Sequence, residues 1–179
     1  MRKLILYIAT SLDLFIARKN GSVDWLFQEG EFGYTKFYST IGTVIMGRKT
    51  WNAACGFEKQ PYMDKECIVF SKKGFTPNQK YVKVVTKNVP SFVEKLKKGK
   101  GKPIWLVGGG QLASLLVNEG LVDEIRLYIH PRILGEGTPL LKDVGEISLK
   151  HISTHAFPEG LVEMKYAVKE GKRSAPAEI

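Results

Sequence analysis

Apolar positions gather in short runs of strand length, separated by stretches of helical spacing and by glycine-rich turns. The run KLILYIAT (3–10) has almost no polar interruption, as expected of a strand buried on both faces. TVIM (43–46), ECIVF (66–70) and PIWLV (103–107) predict further interior strands. YVKVV (81–85) alternates in the manner of an edge or half-buried strand, and DEIRLYIHP (123–131) alternates as well. Two late runs, ISLKHISTHAF (147–157) and GLVEMKYAV (160–168), flank Pro158-Glu159-Gly160 and predict an antiparallel hairpin.

Helical spacing falls between these runs. In FQEGEFGYTKFYSTIG (27–42), Phe32, Phe37 and Ile41 predict a helix despite Gly30 and Gly33 inside it. A second helix is expected from Pro90 to Lys98, with Ser91 at its cap or in its first turn. GGGQLASLLVNEG (108–120) reads as a glycine turn, a helix and a glycine stop at Gly120. SLDLFIARKNGSVDWL (11–26), with a turn at Asn20-Gly21, and the glycine-rich RILGEGTPLL (132–141) read as loops. Strands and helices therefore alternate before a closing hairpin. That order predicts a single α/β domain over residues 1–170, with a mainly parallel central sheet flanked by helices and an antiparallel C-terminal hairpin. Residues 171–179, GKRSAPAEI, are expected to be a frayed tail.

Composition narrows the class. A chain of 179 residues with 44% hydrophobic content can bury one substantial core. No run approaches the roughly 18 apolar residues of a membrane span, and the N-terminal run, interrupted by Asp13, is expected to be a first strand and not a secretion signal. Cys55 and Cys67 are too few for a disulfide framework and fit free thiols in a reducing cytoplasm. The net charge of +9 admits nucleic acid, an anionic surface or a phosphorylated ligand. Five lysines cluster in VEKLKKGKGKP (93–103), but no aromatics interleave with them, so the run reads as the solvated end of a helix and not as a nucleic-acid surface.

Two stretches share a design that points to an anion. In VIMGRKT (44–50) and LVGGGQL (106–112), a buried strand ends in glycine and a helix begins at once. Unpaired N–H groups and the helix dipole make such a start a seat for phosphate, and glycine lets a ligand approach the backbone. Arg48 and Lys49 oppose the dipole of the helix they begin, a conflict that a bound anion removes. VFSKKG (69–74) places Ser71 and Lys72 at the same rim of the sheet. Neither G-x-G-x-x-G nor G-x-x-x-x-G-K-[ST] occurs, which disfavours a Rossmann site and a P-loop. His130, His151 and His155 lack metal-ligand spacing, so no metal is expected. The remaining catalytic candidates are carboxylates near loops: Asp13, Asp24, Glu29 and Glu31.

The ordered blocks SLDLFIA, VDWL, VIMGRKTW, VFSKK, VGGGQL and LYIHPRILGEGTPLL resemble the dihydrofolate reductase superfamily. The likeness is greatest to its riboflavin-type branch, the C-terminal reductase domain of the riboflavin-biosynthesis deaminase-reductase, and it spans about Lys3 to Val168. The resemblance implies an NADPH-dependent reductase acting on a small pteridine- or pyrimidine-like substrate, cytoplasmic and commonly a homodimer, with no nucleic-acid or membrane partner; the alternatives are an authentic dihydrofolate reductase and, from another class, a non-catalytic nucleotide- or nucleic-acid-binding protein. It implies that Gly47, Arg48, Lys49 and Thr50 meet the cofactor's phosphates, and that Ser71 and Lys72 meet its adenosine end. It places the nicotinamide near Ala9, Ile16 and the block from Val107 through Gly108, Gly109 and Gly110 to Gln111. In true dihydrofolate reductases that block carries a cis Gly-Gly bond. It offers Asp13 as a substrate-orienting group and Glu31, ahead of Glu29, as the acid of the first long helix. The riboflavin-type signature continues after its aspartate with glycine, where this chain has Leu14.

Overall fold

A computed structural model describes residues 1–27 and 29–169. The expected tail, 171–179, lies outside the described residues.

The strands are β1 (Leu4–Thr10), β2 (Phe15–Ala17), β3 (Thr43–Gly47), β4 (Glu66–Phe70), β5 (Val82–Val85), β6 (Ile104–Gly108), β7 (Glu124–Ile129), β8 (Thr138–Pro139), β9 (Leu149–Ala156) and β10 (Val162–Val168). The helices are α1 (Tyr34–Thr40), α2 (Arg48–Phe57), α3 (Val89–Lys98) and α4 (Gly110–Asn118). Eight strands form one sheet in the order β5-β4-β3-β6-β1-β7-β10-β9. Pairing is parallel from β5 through β7, and β10 runs antiparallel to both β7 and β9. The expected parallel sheet and C-terminal hairpin are both present.

The dense apolar runs are explained by layers on both faces of the sheet. Leu4, Leu6, Ile45, Ile68, Ile104 and Leu106 pack with Val93 of α3 and Leu112 and Leu116 of α4. On the opposite face Ile5, Val44, Met46, Cys67 and Trp105 pack with Phe37 of α1 and Trp51 of α2. Successive residues of a strand point to opposite faces, so a strand covered twice has no position to give to water.

The first helix is shorter than its spacing predicts. The segment before Tyr34 turns repeatedly through the left-handed region, at Gly30 (φ 109°), Phe32 (φ 40°) and Gly33 (φ 78°), the last being the N-cap. Glu29 and Glu31 therefore precede the helix and do not project from it. The third helix begins at Val89 behind a left-handed Asn88, which places Ser91 in the first turn. The two expected loops contribute β2 and β8, which pair as a small antiparallel ribbon. The lysine run is solvated except at Lys97, which is buried. Its Nζ lies 2.8 Å from Asp123 Oδ2 and also donates to the Leu121 carbonyl, so that one charge is paired inside the fold.

Candidate active site

Between β3 and β6 the strand order reverses. From β3 the chain proceeds outward through α2 to β4, whereas from β6 it crosses over through α4 to β7. A crevice beyond the carboxyl ends of the strands forms at such a point. Here its walls are the starts of α2 and α4. The N-cap residues are Gly47 and Gly109, both in extended conformation, and neither helix start is closed by a side-chain hydrogen bond. Two sets of N-terminal N–H groups are thus left to solvent or ligand. The starts lie close together, since a Cβ built on Gly109 would sit 3.3 Å from Thr50 Oγ1.

Each glycine of the block has its own reason. A Cβ on Gly108, which has φ 140°, would press on Ile8 Cδ1 at 3.3 Å, and the Gly108-Gly109 peptide is cis. A Cβ on Gly110 would meet the Pro139 carbonyl at 2.5 Å, so that glycine is required by packing against β8. Gly47 differs, because its Cβ would meet nothing within 4 Å and open space lies above it. Val107 is the extra residue of a bulge in the β3–β6 pairing and packs against the aromatic face.

The cations stand where the sequence put them. Lys49, Lys72 and Gln111 are exposed. Arg48 donates from Nε to Asn52 Oδ1 at 2.7 Å, and its guanidinium lies 3.4 Å from the centre of the Phe75 ring. Phe75 comes from the loop after β4. That loop is held by the Ser71 N–H on the Val85 carbonyl and the Gly74 N–H on the Ser71 carbonyl. Arg48 thereby bridges the α2 start and the Ser71–Lys72 segment. Sequence reasoning missed Phe75, whose only signal is an aromatic just after VFSKKG.

Across the crevice, Ala9 pairs in register with Tyr128, and Ile16 packs against the α3/α4-side core. Asp13 accepts from the Leu134 N–H at 3.1 and 3.2 Å and from the Gly135 N–H at 2.7 Å, pinning the loop after β7 to the loop after β1. The Ser11 side chain and these N–H groups hold its carboxyl below the usual range. Leu14, at the position of the signature glycine, adopts φ 61°, a backbone that suits glycine. Glu31 accepts from the N–H groups of Thr35 and Gly33, which lower its pKa and close the entry to α1. Asp24 is salt-bridged to Arg18 at 2.7 Å, and that bond with the Ser22 hydroxyl brings its pKa down to about 2. Glu29 lies exposed beyond this group.

A polar chain inside the aromatic face was not anticipated. Tyr7 stacks on Phe37 at 4.1 Å and leans on Trp105 and Tyr128. Tyr128 donates its hydroxyl hydrogen to Glu163 Oε1. Glu163 Oε2 lies 3.0 Å from Lys165 Nζ. Tyr128 and Glu163 are both buried. Burial pushes the Tyr7 phenol up to about 12 and raises Tyr128 as well. A Cβ on Gly33 would sit 3.9 Å from the Tyr128 hydroxyl, so the start of α1 roofs this chain.

Nearby, a cavity of about 490 Å³ opens between the loops after β2 and β7, bordered by Arg18, Trp25, Phe27, Arg132 and Leu134. It lies apart from the two bare helix starts, none of whose residues border it. Among the described residues, the Trp25 indole N–H beside it and the Thr10 hydroxyl are buried without a hydrogen-bond partner.

This architecture is that of the dihydrofolate reductase superfamily in its riboflavin-type branch. Residues 2–162 match the RibD C-terminal domain, and the chain belongs to that family. It is 40% identical over 177 residues to protein YyaP of Bacillus subtilis (strain 168), covering 92% of this chain and 94% of YyaP. The crystal structure of a Shewanella sp. PV-4 protein named for riboflavin biosynthesis is similar with a TM-score of 0.82 and 26% identity, over 94% of this chain and 99% of that one. A deaminase/5-amino-6-(5-phosphoribosylamino)uracil reductase from Thermotoga maritima shares the fold with a TM-score of 0.69 at 16% identity, over 94% of this chain and 57% of that one.

Proposed function

We propose that this protein is an NADPH-dependent reductase that transfers a hydride to a C=N or C=O of a small pteridine- or pyrimidine-like substrate, as a 5-amino-6-(5-phosphoribosylamino)uracil reductase does. The observation that carries this reading is the pair of uncapped helix starts meeting at the reversal of strand order, with two cations at one of them. The residues present fit the cofactor. The N–H groups of Gly47–Thr50 and Gly109–Gln111 suit a pyrophosphate, with open space above Gly47. Arg48, Ser71 and Lys72 suit the adenosine 2′-phosphate. Only one N–H of the Arg48 guanidinium is committed to Asn52, and Phe75 holds its plane. Ala9, Ile16, Val107, Gly108 and Gly109 form the wall for the nicotinamide.

When bound, NADPH supplies the hydride to a substrate carbon. The chain's own part is to exclude water, orient the two reactants and provide for one proton on the substrate's heteroatom. Asp13 and Glu31 are both held as acceptors by backbone N–H groups, so each can order a water molecule but neither is built to release its own proton near neutral pH.

Titration with NADPH and, separately, NADH, followed by quenching of tryptophan fluorescence, tests the reading. A clear preference for NADPH is expected, and failure to bind either would end it. Arg48→Ala is expected to weaken NADPH by about tenfold or more, the worth of a charge-assisted contact, with much less effect on NADH. Equal weakening of both would move Arg48 to the pyrophosphate, and no change in either would remove it from the site.

A further inference from the structure

Arg48 is the first residue of α2, and two contacts hold its guanidinium. Its Cζ lies 3.4 Å from the centre of the Phe75 ring, the van der Waals limit for two flat groups. At that distance the guanidinium has to lie flat, because a large tilt would drive a nitrogen into the ring. A plane resting on a ring can still spin. The bond from Nε to Asn52 Oδ1, at 2.7 Å, holds one edge and stops the spin. Asn52 stands on the next turn of α2, and Phe75 is packed against the aromatic core face. The turn that delivers Phe75 closes through the Gly74 N–H on the Ser71 carbonyl, with Gly74 at φ 65°. The Ser71 N–H ties that turn to the Val85 carbonyl of β5. Both contacts leave the charge uncompensated, since Arg48 enters none of the ion pairs among the described residues. The remaining N–H donors of its fork point outward in one fixed plane.

We infer that Phe75 and Asn52 are positioning residues that make Arg48 a fixed fork for a phosphate monoester, so that selection of a nucleotide bearing a 2′-phosphate comes from geometry as well as from charge. This rests on the NADPH reading for the identity of the ligand. A phosphate takes two parallel N–H bonds from such a fork, and a free arginine gives up its rotamer freedom to make them. Here that freedom is already given up against Phe75 and Asn52. A lysine in the same place would bring the charge without the fork or the flat face. The stack also ties the start of α2 to the turn that carries Ser71 and Lys72. The groups assigned to the 2′-phosphate thus come from two segments joined by one ring.

The test compares adenosine 2′,5′-bisphosphate with adenosine 5′-phosphate, which differ only in the 2′-phosphate, each titrated calorimetrically into the full-length protein. Wild type is expected to bind the bisphosphate about tenfold more tightly, the worth of a hydrogen-bonded charge. Arg48→Lys keeps the charge and is expected to lose most of that preference. Phe75→Leu keeps an apolar side chain and should reduce the preference by about three- to tenfold, with affinity for adenosine 5′-phosphate unchanged. Asn52→Ala should reduce it less, and Phe75→Tyr, which keeps the ring, should retain the wild-type ratio. Thermal melts show which variants are folded. If Phe75→Leu does not fold, Arg48→Lys decides alone, a lost preference supporting the fork and a kept one overturning it. A wild-type preference that survives in both Arg48→Lys and Phe75→Leu would overturn this inference alone, because charge would then account for it. So would an equal loss of both nucleotides in folded Phe75→Leu, which would make the ring merely structural. Equal binding of the two nucleotides by wild type, or binding of neither, would overturn the NADPH reading and the fork with it.

Discussion

The two sides of the crevice are built on opposite plans. Toward β3 and β6 the polar groups are left uncommitted: two helix starts lack caps, and Lys49 and Lys72 extend into solvent. Toward β1, β7 and β10 Asp13, Asp24, Glu31 and Glu163 already hold protein partners. An anion can be received by groups kept waiting for it, because backbone N–H groups are fixed in place and are satisfied by water meanwhile. In the proposed reductase the unpaired side would receive the anion, and the paired side would hold its loops in place around the substrate.

The contrast breaks most sharply at the glycines. Gly110→Ala is expected to destabilise the protein by about 3 kcal/mol or more, because its Cβ meets a backbone carbonyl at 2.5 Å, and urea unfolding would show it as a lower midpoint. Gly47→Ala should change stability by less than about 0.5 kcal/mol, since its Cβ meets nothing. Yet it should weaken NADPH by about tenfold, because the new methyl occupies the ligand's side of the helix start. Unchanged NADPH affinity in that variant would mean that the open space above Gly47 is not the cofactor's.

Smaller effects sharpen the other side. Leu14 holds a left-handed backbone at φ 61° with its side chain about half exposed. Leu14→Gly should therefore raise stability by about 0.5–1 kcal/mol, visible as a few degrees in a thermal melt, while Leu14→Ala should not. A loss on Leu14→Gly would show that the leucine side chain contributes more than its backbone costs. The smallest effect concerns acid. Asp24 titrates at about 2 in the fold, below the ordinary unfolded value of about 3.9. Its pairing with Arg18 therefore contributes fully above about pH 4 and is lost as pH falls toward 2, because the unfolded chain takes up the proton first. Asp24→Asn should flatten the fall of melting temperature over that window, and an unaltered slope would show the pair to be idle.

What the sequence disclosed follows from how local each feature is. A strand–glycine–helix junction is written in seven consecutive residues, and both bare helix starts were legible there, as was a sheet whose strands are apolar without alternation. The extent of α1 was not, because Phe37 and Ile41, four apart, carry the helical signal while the left-handed backbone of Phe32 leaves no mark on the apolar pattern. Lys97 read as solvated because its neighbours are, and only the fold brings Asp123 to it. Glu163 and Lys165 alternate with apolar residues in β10, a pattern that gives no sign that Glu163 is buried. Their partner Tyr128 lies on another strand, and α1 closes over it. Phe75 was hidden for the same reason, since a single aromatic in a loop says nothing until Arg48 arrives from α2.

The position of β1 between β6 and β7 has a consequence for synthesis. Leu4–Thr10 leaves the ribosome long before either Ile104 or Glu124, yet those two strands are its only neighbours in the sheet. At about 5–20 residues per second, this most apolar of segments waits about 5–20 s for its partners. During that interval it is a sticky, unpaired strand, and chaperones that recognise such segments would have their best target at the beginning of the domain.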